Sequence, residues 1–503
     1  MNLSRKIIGQ LKTNALTVPA ENQFDFPEKV VQFGTGVLLR GLIDYFVDKS
    51  NKAGKFGGRI VLIKSTSGGE AGAFSRQDNL YTHCIRGIEN GINIQENIIN
   101  ASISRVIDAK SAWEEVLALA CDPNLELIVS NTTEVGIRLV NENIHSAPPQ
   151  SYPGKLLAFL YQRFKIFSGE KDKGMVIIPT ELLPDNGKRL KEIVLALAAC
   201  NGLEKEFVQW ITQANEFCSS LVDRIVPGRL PAQQLAESEA AFGYQDDLMI
   251  MSESYCLWAV ETSNAKAASL LNSLGVDKGL VVAPDIRIYR ELKLRLLNGP
   301  HTHACGLAYL SGFDTVKEAM QDKNFSAYIN SLMVSEIIPS ITDHELTSDM
   351  AMVFSQQVLD RFRNPFLNHK WLSITLQYSS KMNMRNLPLL LRYYERFGSV
   401  PGFMAIGFAA HILFMRPVNS VDGQFYGEFN GKDYLIDDNN ALIYAEKWKN
   451  PHGVVFSILG EKQLWGRDLN ELPGFTSSVK EKMELMQQKG VRAFLEECAV
   501  EFV

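Results

Sequence analysis

A short apolar run near the start of the chain is followed at once by two closely spaced glycines. Residues 30–33 predict a buried strand, and residues 37–47 predict the helix that follows it. Gly34 and Gly36 permit a tight turn and a close approach of the backbone to a ligand. A strand, such a turn and a helix open a dinucleotide-binding unit, in which amides at the helix N-terminus hold a pyrophosphate. A plain strand–helix turn is at least as common, since Leu39 stands where the full fingerprint has a third glycine.

Further apolar runs that end in polar residues alternate with helical segments over the first half of the chain. Residues 58–65, 125–134 and 174–181 predict strands, and residues 188–201 predict a helix. This alternation indicates an α/β fold with a mainly parallel sheet, whose ligands bind at the carboxyl ends of the strands. We therefore expect a Rossmann-like dinucleotide-binding domain over residues 1–286.

Helical periodicity dominates the rest of the chain and predicts a mainly α-helical substrate and catalytic domain over residues 287–503. The predicted helices are 291–297, 304–309, 316–320, 350–362, 387–397, 402–416 and 478–497. The polar, glycine-containing region 419–437 predicts a loop, and residues 1–27 predict an irregular leader with proline breakers.

Composition excludes several classes of function. The net charge of -6 argues against a polyanion-binding surface, so no nucleic-acid partner is expected. The seven cysteines are scattered and form no C-x-x-C pair, which favours a reducing cytoplasm. We see no signal peptide and no apolar stretch of about 18 residues, so a cytoplasmic protein without a membrane partner is expected. The sequence leaves the oligomeric state open.

One helical stretch carries a lysine, an asparagine and a histidine at i, i+5 and i+8, namely Lys293, Asn298 and His301. On an α-helix these residues fall within an arc of about 140°, although Lys293 and His301 lie about 12 Å apart along the axis. A lysine whose pKa falls from about 10.4 toward 7–8 can act as a general acid or base, and burial or a neighbouring cation such as Arg295 can cause such a shift. Pro300 predicts a kink or a restart of the helix. From spacing alone, a core helix with three scattered polar residues is the favoured interpretation.

A series of short motifs in one order resembles the long-chain mannitol dehydrogenase family of polyol and sugar-acid oxidoreductases. The most specific motif is K-x4-N-x2-H, formed by Lys293, Asn298 and His301. The other matching pieces are Gly34-x-Gly36 with Arg40, Gln77-Asp78 before Leu80-Tyr81-Thr82, Thr133-Glu134 with Gly136, Val222-Asp223-Arg224-Ile225, Trp258 with Val260-Glu261, Arg361-Phe362 with Asn364-Pro365, and Ser380-Lys381. The resemblance covers most of the chain.

The resemblance implies residue roles. It implies metal-independent hydride transfer in which Lys293 is the acid–base and Asn298 and His301 stabilise the oxyanion. The cofactor would be NAD, held by Phe33, Gly34, Thr35, Gly36, Val37, Arg40, Lys64, Asp78, Thr133 and Glu134. The substrate would be held by Glu181, Asp223, Arg224 and Lys381. Lys381 and Arg224 are the candidates for clamping a carboxylate, and Asp223 would accept hydrogen bonds from hydroxyl groups.

Within the family, the segments 33–41 and 179–187 resemble those of members that reduce D-tagaturonate to D-altronate. The resemblance therefore implies a reversible NAD(H)-dependent reduction of D-tagaturonate in galacturonate breakdown. The chain departs from mannitol-oxidising relatives, because Glu181 and Leu182 replace an Asp-Asn pair that helps to hold the reacting oxygen, and Ser373 replaces an arginine. The alternatives are reduction of D-fructuronate, oxidation of mannitol or another polyol at C2, and a nucleotide-binding protein without catalysis.

Overall fold

The computed structural model describes residues 1–11, 15–65, 71–132 and 136–498. The chain forms two compact units, one of residues 1–87 with 93–286 and one of residues 88–92 with 287–503. Within the described ranges, no helix is both long enough and apolar enough to cross a membrane.

The chain up to residue 286 contains twelve strands and eight α-helices among its described residues. The strands are β1 (Glu28–Phe33), β2 (Arg59–Lys64), β3 (Tyr81–Glu89), β4 (Ile92–Asn100), β5 (Ile103–Asp108), β6 (Leu127–Ser130), β7 (Val176–Pro179), β8 (Glu216–Phe217), β9 (Ser219–Asp223), β10 (Ile250–Glu253), β11 (Leu257–Glu261) and β12 (Leu280–Ala283). The helices are α1 (Val37–Lys52), α2 (Ala71–Arg76), α3 (Trp113–Leu119), α4 (Tyr152–Ile166), α5 (Asn186–Cys200), α6 (Lys205–Ala214), α7 (Ala232–Phe242) and α8 (Ala265–Leu274).

A parallel six-stranded sheet with the order β5-β2-β1-β6-β7-β8 forms the centre of the first unit. This is the strand order of a doubly wound dinucleotide-binding sheet. The order reverses between β1 and β6, where Phe33 pairs with Ser130 at the carboxyl ends of the two strands. The fold class predicted from the alternating pattern is confirmed, and the crevice at this reversal is the place where such sheets bind ligands.

Both faces of the sheet are buried, which explains why its strands are continuous apolar runs. Val31 and Phe33 of β1 pack into the core on one face, with Ile63 of β2. Val30 of β1 packs into the core on the other face, with Leu62 of β2. Two smaller three-stranded sheets, β10-β3-β4 and β12-β11-β9, complete the unit.

The N-terminal segment is packed against the first unit, so the prediction of a mere irregular leader is incomplete. Two short 3-10 helices span Arg5–Gln10 and Glu21–Asp25. Ile8 and Phe24 from these turns join Leu3 and Leu16 in a small core that includes Tyr244. The apolar residues between the predicted breakers therefore bury surface against the first unit.

The second unit is mainly helical, as predicted. Its α-helices are α9 (Arg287–Leu292), α10 (Gly299–Leu310), α11 (Val316–Gln321), α12 (Lys323–Ser331), α13 (Ile338–Ile341), α14 (Ser348–Phe362), α15 (Trp371–Ile374), α16 (Tyr378–Lys381), α17 (Leu387–Phe397), α18 (Gly402–Phe414), α19 (Ala441–Lys447), α20 (Val454–Leu459), α21 (Lys462–Trp465), α22 (Phe475–Lys489) and α23 (Val491–Cys498). Three π-helical segments interrupt them: π1 (Lys293–Asn298), π2 (Leu332–Ile337) and π3 (Met382–Asn386). Three further 3-10 turns among the described residues of the two units span Lys171–Lys173, Pro451–Gly453 and Leu469–Glu471.

Each π segment is followed by a proline at the second residue after its end. Pro300 follows π1, Pro339 follows π2 and Pro388 follows π3. Proline lacks an N–H and collides with the carbonyl group four residues before it, so it disfavours a regular α-helical ladder at that point. A π turn, with its i→i+5 hydrogen bonds, is a local alternative that keeps the helix continuous.

Two predictions about the second unit are wrong. The region predicted as a loop forms an antiparallel sheet of β13 (Asn419–Val421), β14 (Gln424–Phe429) and β15 (Lys432–Leu435). The single helix predicted over 478–497 is two helices, because Gly490 between α22 and α23 has a φ of +84°. A positive φ is a conformation that ends an α-helix and that glycine adopts at little cost.

Candidate active site

The turn after β1 has a backbone that only glycine fits well. Gly34 has a φ of +129°, and a Cβ there would lie 3.1 Å from Leu39 Cδ1 and 3.2 Å from the carbonyl oxygen of Asn131. At Gly36, by contrast, a Cβ would meet no described atom within 4 Å. Gly36 is also the N-cap of α1, and no side chain of the described residues caps that helix terminus. The first amides of α1 are therefore without a side-chain cap in the described part of the chain, which fits a site for the pyrophosphate of a dinucleotide.

The predicted cofactor residues around this turn differ in what they can reach. Phe33 is buried in the sheet, and Thr35 and Val37 flank the N-cap. Arg40 is buried, donates from Nη1 to the carbonyl oxygen of Leu248 at 2.8 Å and lies over the Phe74 and Tyr81 rings. Its charge is therefore turned into the first unit, which does not fit the role of a cation facing the phosphates.

Two other predicted cofactor residues are engaged with groups of the first unit. Lys64 Nζ lies 3.3 Å from Asp108 Oδ2, which joins the carboxyl ends of β2 and β5. Asp78 has a φ of +51° and its Oδ2 accepts a hydrogen bond of 2.9 Å from the backbone N–H of Arg5. Thr133 and Glu134 lie outside the described residues.

Glu181, a predicted substrate residue, fixes the segment that follows β6. Its carboxylate is buried and accepts hydrogen bonds from the Ser130 hydroxyl at 3.2 Å and from the Thr132 amide at 2.8 Å. It thereby holds the carboxyl edge of the sheet next to the turn at Gly34. Its neighbour Leu182, at the position where relatives have an oxyanion asparagine, is 58% exposed.

Asp223 and Arg224 lie together at the end of β9, and both are buried. Arg224 donates to the carbonyl oxygens of Glu253 at 3.0 Å and Gly41 at 2.8 Å, and its guanidinium lies 4.5 Å from the centre of the Tyr45 ring. These contacts give Arg224 a structural role that ties α1 to β10. They argue against its predicted use as a carboxylate clamp.

In the second unit, Lys293 and Asn298 are the first and last residues of π1. The α-helical arc assumed from the sequence is therefore wrong at this point. Because a π-helix bonds i to i+5, the two residues lie one turn apart on the same face. Both side chains are half-buried. The predicted break at Pro300 is instead the change from π1 to α10, where Pro300 lies in the first turn and its missing N–H costs little.

His301 lies in the first turn of α10 within an aromatic enclosure. Its ring stacks on Phe362, with centroids 4.1 Å apart and planes at 15°. His369 and Trp371 meet it edge-on, at centroid distances of 5.4 and 6.0 Å. Burial, followed by the charges of His369, Arg361 and Arg385, holds the pKa of His301 well below its usual value. The imidazole is therefore neutral at physiological pH, and its buried Nε2 has no hydrogen-bond partner among the described groups.

Lys381, at the end of α16, is the predicted substrate residue of the second unit. Its Nζ donates to the carbonyl oxygen of Ile374 at 2.9 Å. Burial, followed by the charge of Arg385, lowers the pKa of Lys381.

A chain of hydrogen bonds joins π1 and α10 to π3. The Thr302 hydroxyl donates to the carbonyl oxygen of Asn298 at 2.8 Å and accepts from Arg385 Nη1 at 3.1 Å. Arg295 Nη1 donates to the carbonyl oxygens of Met384 at 3.0 Å and Arg385 at 2.6 Å. Arg295 also pairs with Glu291 at 3.3 Å.

Sequence reasoning missed several residues of this region: Thr302, Phe362, His369 and Arg385. Phe362 belongs to the Arg361-Phe362 motif, but its stacking on His301 joins distant parts of the chain. Arg385 stands four residues after Lys381, a spacing that places two helical residues on one face and could have identified it. His303 is fully buried and packs against Gly407.

Both parts of the chain match models of known protein domains. Residues 28–272 match the Rossmann domain of mannitol dehydrogenase. Residues 285–487 match the C-terminal domain of mannitol dehydrogenase.

Relatives of the same length share more than a third of the sequence. The chain is 36% identical to an altronate oxidoreductase of Bacillus subtilis (strain 168) over 483 residues, which cover 95% of this chain and 96% of that enzyme. It is 37% identical to an altronate oxidoreductase of Yersinia enterocolitica over 489 residues, which cover 94% of this chain and 98% of that enzyme.

Solved structures show the same fold at lower identity. D-sorbitol dehydrogenase matches with a TM-score of 0.81 and 20% identity, over 98% of this chain and 100% of that one. Mannitol 2-dehydrogenase of Pseudomonas fluorescens, solved with NAD and D-mannitol, matches with a TM-score of 0.69 and 22% identity, over 100% of both chains. From the two domain matches and the full-length relatives, the chain belongs to the mannitol dehydrogenase family of oxidoreductases.

Proposed function

We propose that this enzyme catalyses the reversible NAD(H)-dependent reduction of D-tagaturonate to D-altronate. The observation that carries the proposal is the junction of π1 and α10, which brings a lysine, an asparagine and a neutral histidine into two consecutive helical turns. The choice of substrate is supported by the altronate oxidoreductases that match at 36% and 37% identity over nearly the whole chain.

The turn after β1 supports the choice of a dinucleotide. The open space at Gly36 and the uncapped terminus of α1 would hold the pyrophosphate. The 2′-phosphate of NADP requires a cation that is not already neutralised, whereas Lys64 at the end of β2 is paired with Asp108. Among the described residues this pair favours NAD over NADP. When bound, NADH supplies the hydride that reduces the keto carbon.

Lys293 acts on the oxygen of the reacting carbon. As an ammonium it gives a proton to the nascent alkoxide during reduction, and as a neutral amine it removes the hydroxyl proton during oxidation. Asn298 lies on the same face of π1 and donates a hydrogen bond to that oxygen. No role in this scheme requires a bound metal.

His301 is suited to donate a hydrogen bond without competing for the proton. Its depressed pKa keeps the ring neutral, so one ring nitrogen carries a hydrogen that can be donated to the oxyanion. An imidazolium would instead be an alternative acid and would repel the ammonium of Lys293. The stacking on Phe362 fixes the plane of the ring.

The experiment follows NADH absorbance with purified enzyme and D-tagaturonate. Parallel reactions contain D-fructuronate, D-fructose, or NADPH in place of NADH. Rapid loss of NADH with D-tagaturonate alone is the expected result. Turnover with fructuronate or fructose instead would assign another substrate of the same family, and no turnover in any reaction would favour a nucleotide-binding protein without catalysis.

A further inference from the structure

Two cationic side chains of the second unit, Arg361 and Arg385, lie near His301, and a third, Lys381, lies near Arg385. The charges of Arg361 and Arg385 both act to lower the pKa of His301, and the charge of Arg385 acts on Lys381. Like charges that repel one another are costly unless an anion lies among them.

Arg385 is the member whose guanidinium is most available to a ligand. Its one hydrogen bond among the described residues is from Nη1 to the Thr302 hydroxyl, at 3.1 Å. Its Nε is buried and has no partner in the described part of the chain. Burial is the largest influence on its pKa, which it lowers. A guanidinium removed from water without a carboxylate beside it offers strong, charge-assisted hydrogen bonds to an anion.

Other arginines of the second unit lie beside carboxylates. Arg295 and Arg392 both pair with Glu291, at 3.3 and 3.1 Å. Arg492 pairs with Asp322 at 3.1 Å. Among the described residues, Arg385 has no such carboxylate partner, and its guanidinium is bonded to the Thr302 hydroxyl instead.

The backbone of Arg385 is held in place before any ligand binds. Its carbonyl oxygen accepts the 2.6 Å hydrogen bond from Arg295, and Arg295 is itself anchored by Glu291. The side chain is oriented through Thr302, whose hydroxyl is bonded to the carbonyl oxygen of Asn298. The guanidinium is therefore linked through Thr302 to the backbone of Asn298, one of the proposed catalytic residues.

We propose that Arg385 binds the carboxylate of the sugar-acid substrate through its planar pair of N–H donors. The proposal rests on the proposed function and assigns the residue that selects a sugar acid over a neutral sugar. Lys381 adds positive charge but is less suited to the clamp, since its ammonium is bonded to the Ile374 carbonyl and is a point donor without a fork. Arg224, the other candidate from the sequence, is held by two carbonyl oxygens and the Tyr45 ring.

The test compares two substrates that differ only at the acidic end. D-Tagatose carries a hydroxymethyl group where D-tagaturonate carries the carboxylate. Arg385→Gln is expected to lower kcat/KM for D-tagaturonate by about 10- to 100-fold, mainly through KM, and to lower kcat/KM for D-tagatose far less. The effect is expected in KM because the carboxylate is bound equally in the ground state and the transition state.

Further variants separate binding from folding. Arg385→Lys keeps the charge but loses the paired N–H donors of the guanidinium. Its kcat/KM for D-tagaturonate should therefore lie between those of the wild type and Arg385→Gln. Added guanidinium ion should restore part of the activity of Arg385→Ala toward D-tagaturonate. The control is Arg467→Gln, which removes an exposed arginine that pairs with Glu471. Melting temperatures of all variants show that each is folded, and titration with D-altronate gives binding constants independently of turnover.

The outcomes are distinct. Arg385→Gln is compared with the wild type on two measurements. An equal fall in kcat/KM for D-tagaturonate and D-tagatose, or an unchanged binding constant for D-altronate, would overturn the carboxylate role while leaving the proposed function intact. A wild-type enzyme that reduces neutral ketoses but no sugar acid would overturn both. A loss confined to D-tagaturonate, with weakened D-altronate binding, supports both.

Discussion

The imidazole of His301 lies flat against the ring of Phe362, with centroids 4.1 Å apart and planes within 15° of parallel. His301 is in the first turn of α10 and Phe362 is the last residue of α14. The orientation of the proposed oxyanion donor is therefore set by a different helix from the one that carries it.

Phe362→Leu should disturb the reaction more than binding. The smaller side chain lets the imidazole tilt, and a displacement of about 1 Å in a reacting group costs up to roughly 100-fold in rate. We expect kcat to fall by about 10-fold or more, with a smaller change in KM. Steady-state kinetics measure the effect. Phe313→Leu, which changes a buried ring packed on Phe325, is the matched control and should retain kcat. Equal kcat values for the two variants would show that the stacking has no catalytic role.

Lys293→Gln should abolish most turnover while leaving the cofactor bound. General acid–base catalysis contributes about 10²- to 10⁴-fold, so kcat should fall by that factor. Titration of NADH fluorescence should give an unchanged dissociation constant, because the proposed cofactor residues lie in the first unit. Lys480→Gln replaces an exposed lysine and serves as the control. Near-normal turnover by Lys293→Gln would end the acid–base assignment.

The two glycines after β1 should respond differently to substitution. Gly36→Val adds atoms in open space at an ordinary backbone conformation, so it should fold normally but weaken NADH binding about 10-fold or more by filling the pyrophosphate position. Gly34→Ala places a Cβ at a φ of +129° and close to Asn131, so it should lower the melting temperature. Thermal melts and NADH titration together distinguish the two effects. Normal NADH affinity in a folded Gly36→Val enzyme would move the cofactor site elsewhere.

Asp44 should make stability depend on pH. It is fully buried in α1, and neither carboxylate oxygen has a hydrogen-bond partner among the described residues. Burial raises its pKa to about 7, although the nearby Gln32 amide and the charge of Arg40 act in the opposite direction. The folded state therefore holds the proton of the Asp44 carboxyl more tightly than the unfolded state does. Protonation of Asp44 supports the free energy of unfolding fully below about pH 4, and this support is lost as the pH rises to about 7.

Asp44→Asn removes this ionisation. We consider the free energy of unfolding of the variant minus that of the wild type. This difference should be larger at pH 8 than at pH 5 by roughly 2–3 kcal/mol. Urea unfolding at the two pH values measures the difference. Asp433→Asn, at an exposed carboxylate on β15, should show the same relative stability at both pH values. A pH-independent effect of Asp44→Asn would show that the carboxyl group stays neutral or ionised throughout.

The parts of the fold that were predictable are those with strong hydrophobic patterns. Val30, Val31 and Phe33 read as a buried strand because the sheet is covered on both faces. The sheet of β13 to β15 was missed because its strands are largely exposed and lack a continuous apolar run. The signals that could have found it are Asp422-Gly423 and Asn430-Gly431, which form two-residue hairpin turns with positive φ at all four residues.

The candidate site was predictable in part for a different reason. Lys293, Asn298 and His301 stand in one short motif, so local sequence was enough to single them out. Arg385 and Phe362 act through contacts with Thr302 and His301 on another helix, and a single sequence does not record such pairings. Ligand-binding roles were predicted for Arg40 and Arg224 from their places near a glycine turn and a strand end. Both side chains donate hydrogen bonds to carbonyl oxygens of the first unit, a use that a single sequence does not distinguish from ligand binding.

The π turn at Lys293–Asn298 also means that the helix contains one more residue than a regular α-helical ladder would hold there. Each residue of an α-helix advances about 100° around the axis, so residues eight apart on a regular α-helix differ by about 80°, whereas residues seven apart differ by only about 20°. Because the π turn takes up the extra residue, Lys293 and His301 are eight residues apart in the sequence but are oriented much as residues seven apart on an α-helix would be. The alignment of the proposed acid–base with the proposed oxyanion donor is thus a matter of counting, since it depends on the number of residues between them as much as on their identity.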